Sequence, residues 1–436
     1  MRPEYIGFLL LLSPAWVAAQ RVDPAARPIA LSEAVQLAQQ HSPTTVQARN
    51  ALRTGESAVR QNLSQFLPTL NLSYSGNQAG GTQFVQGTPV PVSGLPWTYS
   101  RTVNSTLSLF DGGQRWYNYK AAEASLDASV STELTQRYAV ALTVKQQYYA
   151  ILAARESESA ALAQLEQAQQ NLLVAAAKMA AGVATRADSL QAAVGVGNAK
   201  LAILNAQNLV ANANAVLTRL VASPVTVTAV ETDTSEAAQI SVDDDALARL
   251  VLDGPAVRQS AAALTAAKAT HKAQATPYLP TIAANASYGQ NPKGSQTFNF
   301  GGGPSSLSTR LGFSLNYTIF NNYTREQQLV AARVNEDNAD AQYRDQKLFA
   351  QQSLTTQLNN FRTAVQKIEL QLLTIQQAGE ALRVVQQRYS LGTAALLEVL
   401  TAQTALDVAR AALIQARLDA RIAKAGVEAL AGRDLP

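Results

Sequence analysis

From Leu354 onward the apolar positions fall at Leu354, Leu358, Phe361, Val365, Ile368, Leu372, Ile375, Ala378, Leu382, Val385 and Tyr389. The steps are nearly all three and four, which draws one narrow apolar seam along a helix. That is the pattern of coiled-coil contact rather than of burial on every side. No proline interrupts the segment, and a helix is predicted over about 322–391 before a turn at Leu391-Gly392-Thr393. At about 1.5 Å per residue such a rod is on the order of 100 Å long, several times the width of a small domain.

Upstream the period changes to two. Leu70, Leu72 and Tyr74 alternate with Asn71, Ser73 and Ser75; Val103, Leu107 and Leu109 alternate with Asn104, Thr106 and Ser108. Ile282, Ala284, Ala286 and Tyr288, then Leu311, Phe313, Leu315, Tyr317 and Ile319, repeat the pattern. Two hairpins are predicted, at about 69–110 and 281–320, each apolar on one face and small-polar on the other. A Gly/Pro-rich loop, Gly80 to Pro96, lies inside the first hairpin, and one holding Gly301-Gly302-Gly303-Pro304 inside the second.

The chain is an internal duplication. Leu109-Phe110-Asp111-Gly112-Gly113 matches Ile319-Phe320-Asn321-Asn322-Tyr323, and Gly182, Asp188 and Leu190 match Gly392, Glu398 and Leu400, all at an offset of 210. Phe66-Leu67-Pro68-Thr69-Leu70 matches Tyr278-Leu279-Pro280-Thr281-Ile282 at an offset of 212. The expected organisation is a leader over 1–19, a first repeat over 20–222 with a long helix at about 112–181, a linker over 223–241 about halfway along the rods, and a second repeat over 242–436. Shorter returning helices are predicted at about Thr185 to Val221 and Ala394 to Leu430. Helices over 31–65 and 242–277 would stack on them to balance the rods. Ser32 is a candidate N-cap, Pro43 and Pro255 read as kinks, and Asp111 with Gln114 reads as a capping box.

Composition narrows the function. The residues are 47% hydrophobic and only 15% charged, which suits long packed helices. The formal charge of +4 without any Lys/Arg run argues against a nucleic-acid partner. There is no cysteine, hence no disulfide or thiolate chemistry. Arg2, an apolar run from Ile6 to Leu12 and Val17-Ala18-Ala19 before Gln20 read as a cleaved signal peptide rather than an anchor, because the run is too short to span. No later window is apolar enough for a transmembrane helix, so any membrane entry is by strands. No phosphate loop, zinc-binding pair or nucleophile elbow occurs, and His41 and His271 are solitary and read as surface or packing histidines rather than ligands. No catalytic site, cofactor site or metal site is predicted.

Each strand is the right height to cross a bilayer with tilt, lipid outside and water inside. A soluble β-sandwich hairpin is the alternative. Four strands cannot close a barrel, and an open edge in lipid leaves backbone groups unpaired, so several chains must share one barrel. Two chains would give eight strands and a filled interior, three would give twelve and an open lumen. Trp97, Tyr99, Trp116, Tyr117, Tyr317 and Tyr323 would suit an interfacial girdle.

The leader, the repeated Leu-Pro before a strand, Leu-Phe-Asp-Gly-Gly at a strand-to-helix junction, and Tyr-Ser-Leu-Gly followed by Glu-Val-Leu together resemble the TolC-like outer membrane efflux family over essentially the whole mature chain. The second copy departs at Asn321-Asn322-Tyr323. The resemblance implies a mainly α fold with a β-barrel portion: a homotrimer whose 12-stranded outer membrane β-barrel continues as an α-helical periplasmic tunnel. It further implies an exit duct for tripartite efflux or type I secretion. The partners would be a periplasmic adaptor, an inner membrane pump and outer membrane lipid. The turns at Gly182, Val183, Gly392 and Thr393 would be the adaptor-contacting tip, where the tunnel closes. By the same resemblance Glu398 faces the closed pore and a second acidic position falls on Thr401, leaving one carboxylate ring. Tyr389 and Asp188 would form the closed-state clasp, whose arginine falls on Ala394. A plain helix-start charge is the alternative for Glu398 and Asp188. A periplasmic coiled-coil adaptor without a channel is the alternative for the whole chain.

Overall fold

A computed structural model describes residues 26–78, 81–92, 97–230, 242–292 and 305–435. The predicted leader, the Gly301–Pro304 loop and most of the linker lie outside the described residues. The chain runs β1 (Arg27–Ile29), α1 (Leu31–His41), α2 (Pro43–Ser64), β2 (Thr69–Asn77), β3 (Gly81–Val85), β4 (Thr88–Val92), β5 (Thr98–Phe110), α3 (Gln114–Ala180), α4 (Arg186–Leu220) and β6 (Val227–Ala229). It continues α5 (Asp244–Leu252), α6 (Pro255–Ala275), β7 (Thr281–Pro292), β8 (Ser305–Asn316), α7 (Thr324–Ser390) and α8 (Leu396–Ala431). The two rods α3 and α7 are each 67 residues long. The returning helices α4 and α8 have 35 and 36 residues, and the stacked helices α2 and α6 have 22 and 21.

The rods run the full height of the molecule. Beside the sheet α3 packs on α2 and α6, and α6 on α7; towards the far end α3 packs on α4 and α8, and α8 on α7. The lateral order is therefore α2–α3–α6–α7 near the sheet and α4–α3–α8–α7 away from it. The antiparallel sheet repeats that order as β2-β5-β7-β8, each strand joined to the helix beneath it. One side of the molecule ends on β2, α2 and α4, the other on β8 and α7, and neither side has a partner among the described residues.

Why α3 and α4 lie so close is written in alanine. Ala154, Ala161, Ala168 and Ala175 on α3 and Ala192, Ala199, Ala206 and Ala213 on α4 are all buried. Each series steps by seven, and the pairs 154/213, 161/206, 168/199 and 175/192 each sum to 367. The members of a pair therefore stand equally far from the turn between the helices, and a methyl group at each lets the backbones approach. The α7/α8 pair carries larger residues, including Leu354, Leu358, Phe361, Leu382, Leu406 and Leu413. The predicted seam holds except at Leu372, which is 49% exposed.

Among the described residues nothing forms a core beneath the sheet. Leu70, Leu72, Leu311, Phe313 and Leu315 are between 66% and 80% exposed, and the opposite face carries Asn71, Ser73, Asn104, Asn285 and Ser314. Polar side chains knit that second face across three strands: Thr106 donates to Asn285 Oδ1 (3.3 Å) and Asn285 Nδ2 to Ser314 Oγ (3.0 Å). A soluble sandwich would bury one face; this sheet buries neither. Among the described residues no helix is long and apolar enough to cross a membrane.

Several local expectations are corrected. The stretch read as a loop from Gly80 to Pro96 contains the β3–β4 hairpin, turning at Gln86 (φ 53°) and Gly87 (φ 83°). Two consecutive left-handed residues make a tight hairpin turn, and its prolines are tolerated because a two-stranded ribbon is all edge. The Leu109 alternation fails at a bulge between Ser108 and Phe110, so Phe110 stands opposite Ile282. The second hairpin ends at Asn316, not near 320: Thr281 pairs with Asn316, and beyond it β7 offers no further partner. Pro43 and Pro255 break their helices rather than kink them. Ser42 before Pro43 has ψ 131° and Gly254 before Pro255 has ψ 162°, the extended conformation the following ring enforces, and each proline opens the next helix. Ser32 lies inside α1, whose N-cap is Ala30.

Both strand-to-rod junctions use an arginine that the capping-box reading missed. Asp111 accepts from the Gly113 and Arg115 amides (3.1 and 3.2 Å) and from Arg115 Nε (2.7 Å), so Arg115 takes the place given to Gln114. Arg115 also donates to the Gln65 carbonyl (3.2 Å) and stacks 5.0 Å from the Phe66 ring. Arg325, its counterpart at offset 210, donates to the Thr318 and Pro277 carbonyls (2.9 and 3.4 Å) and lies 4.7 Å from the Tyr278 ring. A planar cation with several donors suits a corner where a strand, a turn and two helices leave carbonyls unpaired.

Halfway along α3, β1 and β6 pair in parallel. Tyr148, 2% exposed, fixes them: its hydroxyl lies 2.7 Å from the Val230 carbonyl and 3.2 Å from the Ile29 carbonyl, and it accepts from the Val230 amide (3.1 Å). Arg155 donates to the Ala229 carbonyl and Thr228 Oγ1, both at 2.8 Å. The ring of Tyr148 sits among Ile29, Val144, Ile151, Leu217 and Val227.

Candidate site at the helix-turn tip

The two ends farthest from the sheet are the turns α3–α4 and α7–α8, and they have one construction. Gly182 (φ 74°) and Gly392 (φ 80°) are left-handed. The Gly182 and Val183 amides bond the Met179 and Lys178 carbonyls, both at 3.0 Å; the Gly392 and Thr393 amides bond the Tyr389 and Arg388 carbonyls at 3.1 and 2.9 Å. This pattern closes a helix on a left-handed residue, and glycine adopts it without a Cβ clash. A Cβ built at either glycine meets nothing within 4 Å, so the requirement is conformational, not spatial. Val183 and Leu391 are 74% and 73% exposed, leaving an apolar point at each tip.

Each returning helix then opens on its acid. The Asp188 carboxylate accepts from the Thr185 amide (3.0 Å) and hydroxyl (2.7 Å), while the Asp188 amide donates to Thr185 Oγ1 (3.2 Å), a complete capping box. Those bonds hold the Asp188 carboxyl below the usual carboxylate range. Glu398 accepts from the Ala395 amide (3.1 Å) and lies 3.6 Å from Arg388, whose guanidinium also reaches the Thr393 carbonyl (3.3 Å). Arg388 is thus the cation beside this acid. Thr401, one turn on, donates back to the Leu397 carbonyl (2.8 Å).

The structure brings Asp188 and Tyr389 near enough for the carboxylate to act on the phenol but does not bond them. The Tyr389 hydroxyl is buried without a hydrogen-bond partner. Burial first, and the Asp188 charge second, push its pKa up. Tyr389 packs with Ala175, Ala192, Leu382, Leu396, Val399 and Leu406, an apolar cluster drawn from both helix hairpins. Lys178 approaches from α3: its ammonium bonds the Tyr389 carbonyl and stands 4.1 Å from the ring centroid. Two turns higher Asn171 Nδ2 donates to Gln403 Oε1 (3.0 Å), a buried polar link from α3 to α8. Sequence reasoning missed Lys178, Arg388, Asn171 and Gln403. The available signal was that Lys178 and Arg388 are repeat counterparts at offset 210.

Aromatic residues gather at both ends of the sheet. Tyr74, Trp97 and Tyr99 stack at the far end of β2 and β5, with centroids 6.1 and 6.3 Å apart. At the helix end of the sheet Trp116, Tyr317, Phe320 and Tyr323 are 52% to 70% exposed. His271 bonds Glu336 (2.6 Å), bridging α6 and α7. Among the described residues no three His, Cys, Asp or Glu side chains gather as a metal site would require.

Comparison with known proteins follows the same architecture. The profile described as Outer membrane efflux protein matches residues 34–223 and 247–433. Protein CyaE of Bordetella pertussis is 26% identical over 417 residues, covering 91% of this chain and 84% of that protein. Among solved structures CusC superposes with a TM-score of 0.82 at 18% identity over 99% of both chains. The outer membrane protein VceC of Vibrio cholerae gives 0.80 at 19% identity, over 93% of this chain and 97% of that one. At these identities the structural likeness speaks to the fold.

Proposed function

The chain belongs to the Outer membrane efflux protein family, and from that premise we propose that three copies form one exit duct gated at the helix-turn tip. As a member it is an outer membrane efflux channel extending into the periplasm, working with an adaptor and a pump. The observation that carries the trimer is the pair of matching open sides. β8 and β2 run in opposite directions and among the described residues are both unpaired on their outer edges, so β8 of one copy continues antiparallel onto β2 of the next. The same step sets α7 against α2 and α4 of the neighbour. Rotation about one axis then closes sheet and helix wall together. Four strands from each of three copies make a 12-stranded barrel with its leucine face to lipid and its Asn/Ser/Thr face to water. Residues 20–222 and 242–436 act as the two repeats, with 223–241 the linker between them; of that linker the described part holds β6.

At the tip, three Glu398 carboxylates would ring the closed pore, with Thr401 the neutral position above them, favouring cations. Asp188 and Tyr389 lie where the two hairpins of a copy meet, the place at which rearrangement would open the duct. Gly182, Val183, Gly392 and Thr393 form the two turns offered to the adaptor, with Val183 and Leu391 as their exposed apolar points. The duct itself is passive, and energy enters from the pump in the inner membrane.

Purified protein in planar lipid bilayers tests the reading. The expected result is discrete, cation-selective conductance steps from a heat-dissociable oligomer. Folded protein that forms no channel would overturn it.

A further inference from the structure

We propose that Lys178 is the latch that holds the two helix hairpins together at the closed tip, by capping the C-terminal end of α7 from α3. This rests on the tip being the gate, and it assigns the cation that the clasp lacks at Ala394.

Lys178 lies in the last turn of α3, and its ammonium reaches out of its own hairpin onto the Tyr389 carbonyl of the other. That carbonyl belongs to the last turn of α7, where carbonyls lack intrahelical partners and the helix carries its negative end. It also receives the Gly392 amide (3.1 Å) and the Leu391 amide at the helix end, and the ammonium adds to these a charged donor from the other hairpin. The same ammonium stands 4.1 Å from the Tyr389 ring centroid, within the range at which an aromatic face attracts a cation. Carbonyl, helix end and ring therefore converge on one charge, and all three belong to the opposite hairpin.

The repeat provides an internal comparison. Arg388 occupies the equivalent place in the second half, yet its guanidinium stays within its own hairpin, on the Thr393 carbonyl and beside Glu398. One cation of the duplicated pair stiffens a single tip; the other spans two. The phenol does not share the task, because its hydroxyl has no partner and the Asp188 carboxylate is committed to Thr185. Moving α7 and α8 away from α3 and α4 must break the Lys178 contacts and expose the apolar cluster around Tyr389.

The test is single-channel conductance of the assembled protein for Lys178→Met, Lys178→Arg and Tyr389→Phe. Methionine keeps the length and apolar stem and removes the charge, so the closed-state conductance should rise severalfold, with oligomer and helix content unchanged. Arginine should restore most of the closure. Tyr389→Phe, which keeps carbonyl and ring, should raise conductance less than Lys178→Met. Wild-type conductance in Lys178→Met, or a larger rise in Tyr389→Phe, would overturn the latch. Glu398→Ala separates this from the gate reading: altered selectivity there with a silent Lys178→Met removes the latch alone, and no change in either removes both.

Discussion

Tyr148→Phe isolates the bond that ties the short β1–β6 ribbon to α3. The hydroxyl has one proton, shared between the Val230 and Ile29 carbonyls at 2.7 and 3.2 Å, and one accepted bond from the Val230 amide at 3.1 Å. Phenylalanine removes both, yet the Val230 amide keeps an alternative partner in the Ile29 carbonyl at 3.2 Å. The net loss is the part-buried hydrogen bond to the Val230 carbonyl, about 0.5–1.5 kcal/mol. The ring still fills its place among Ile29, Ile151 and Leu217, so no cavity term is added; Tyr148→Ala would bring the total to about 3–5 kcal/mol. Hydrogen exchange read by mass spectrometry over peptides containing 26–31 and 225–230 measures the local opening. Protection there should fall by about two- to tenfold in Tyr148→Phe, with α7 and α8 unaffected. Unchanged protection, or an equal loss along α7 and α8, would refute the assignment of Tyr148 as the ribbon's anchor.

Other expectations follow from single residues. Ala222, exposed at the end of α4 with φ 52°, stands where α8 has Gly432 at φ 66°; Ala222→Gly should stabilise by about 1 kcal/mol, read as a higher melting temperature. Burial holds the Asp407 carboxyl above its ordinary 3.8, with Arg410 opposing, and one of its oxygens is buried without a partner. The folded state therefore favours the protonated form, and charged Asp407 costs stability at neutral pH that returns as pH falls through its raised value. Asp407→Asn should raise the melting temperature at pH 7 and lose that advantage as the pH approaches 3.8. Glu398→Ala should weaken cation selectivity in reversal-potential measurements and cost about 0.5–1 kcal/mol through the lost bond to the Ala395 amide; unchanged selectivity would take Glu398 out of the constriction.

Features set by long periodicities could be read from the sequence. The rods, their glycine turns at Gly182 and Gly392, the stacked shorter helices and the one-sided strands all follow from patterns repeated over many residues and then repeated again at offset 210. What escaped depends on which partner a residue meets. The end of β8 at Asn316 is decided by where β7 begins, the bulge at Leu109 by the register on Ile282, and the break before Pro43 by backbone geometry at one residue. At the tip the acids and glycines stood out because the repeat aligns them. Lys178 did not, because a lysine in the last turn of a helix ordinarily serves its own carbonyls, and only the packing of α3 against the second hairpin turns it outward.

The central claim is that the open sides β2/α2/α4 and β8/α7 close on one another in a ring of three. Native mass spectrometry of detergent-solubilised protein measures this directly: the predicted result is a single species of three times the subunit mass that dissociates on heating. A monomer, or a dimer whose eight strands would leave a filled interior, would contradict it.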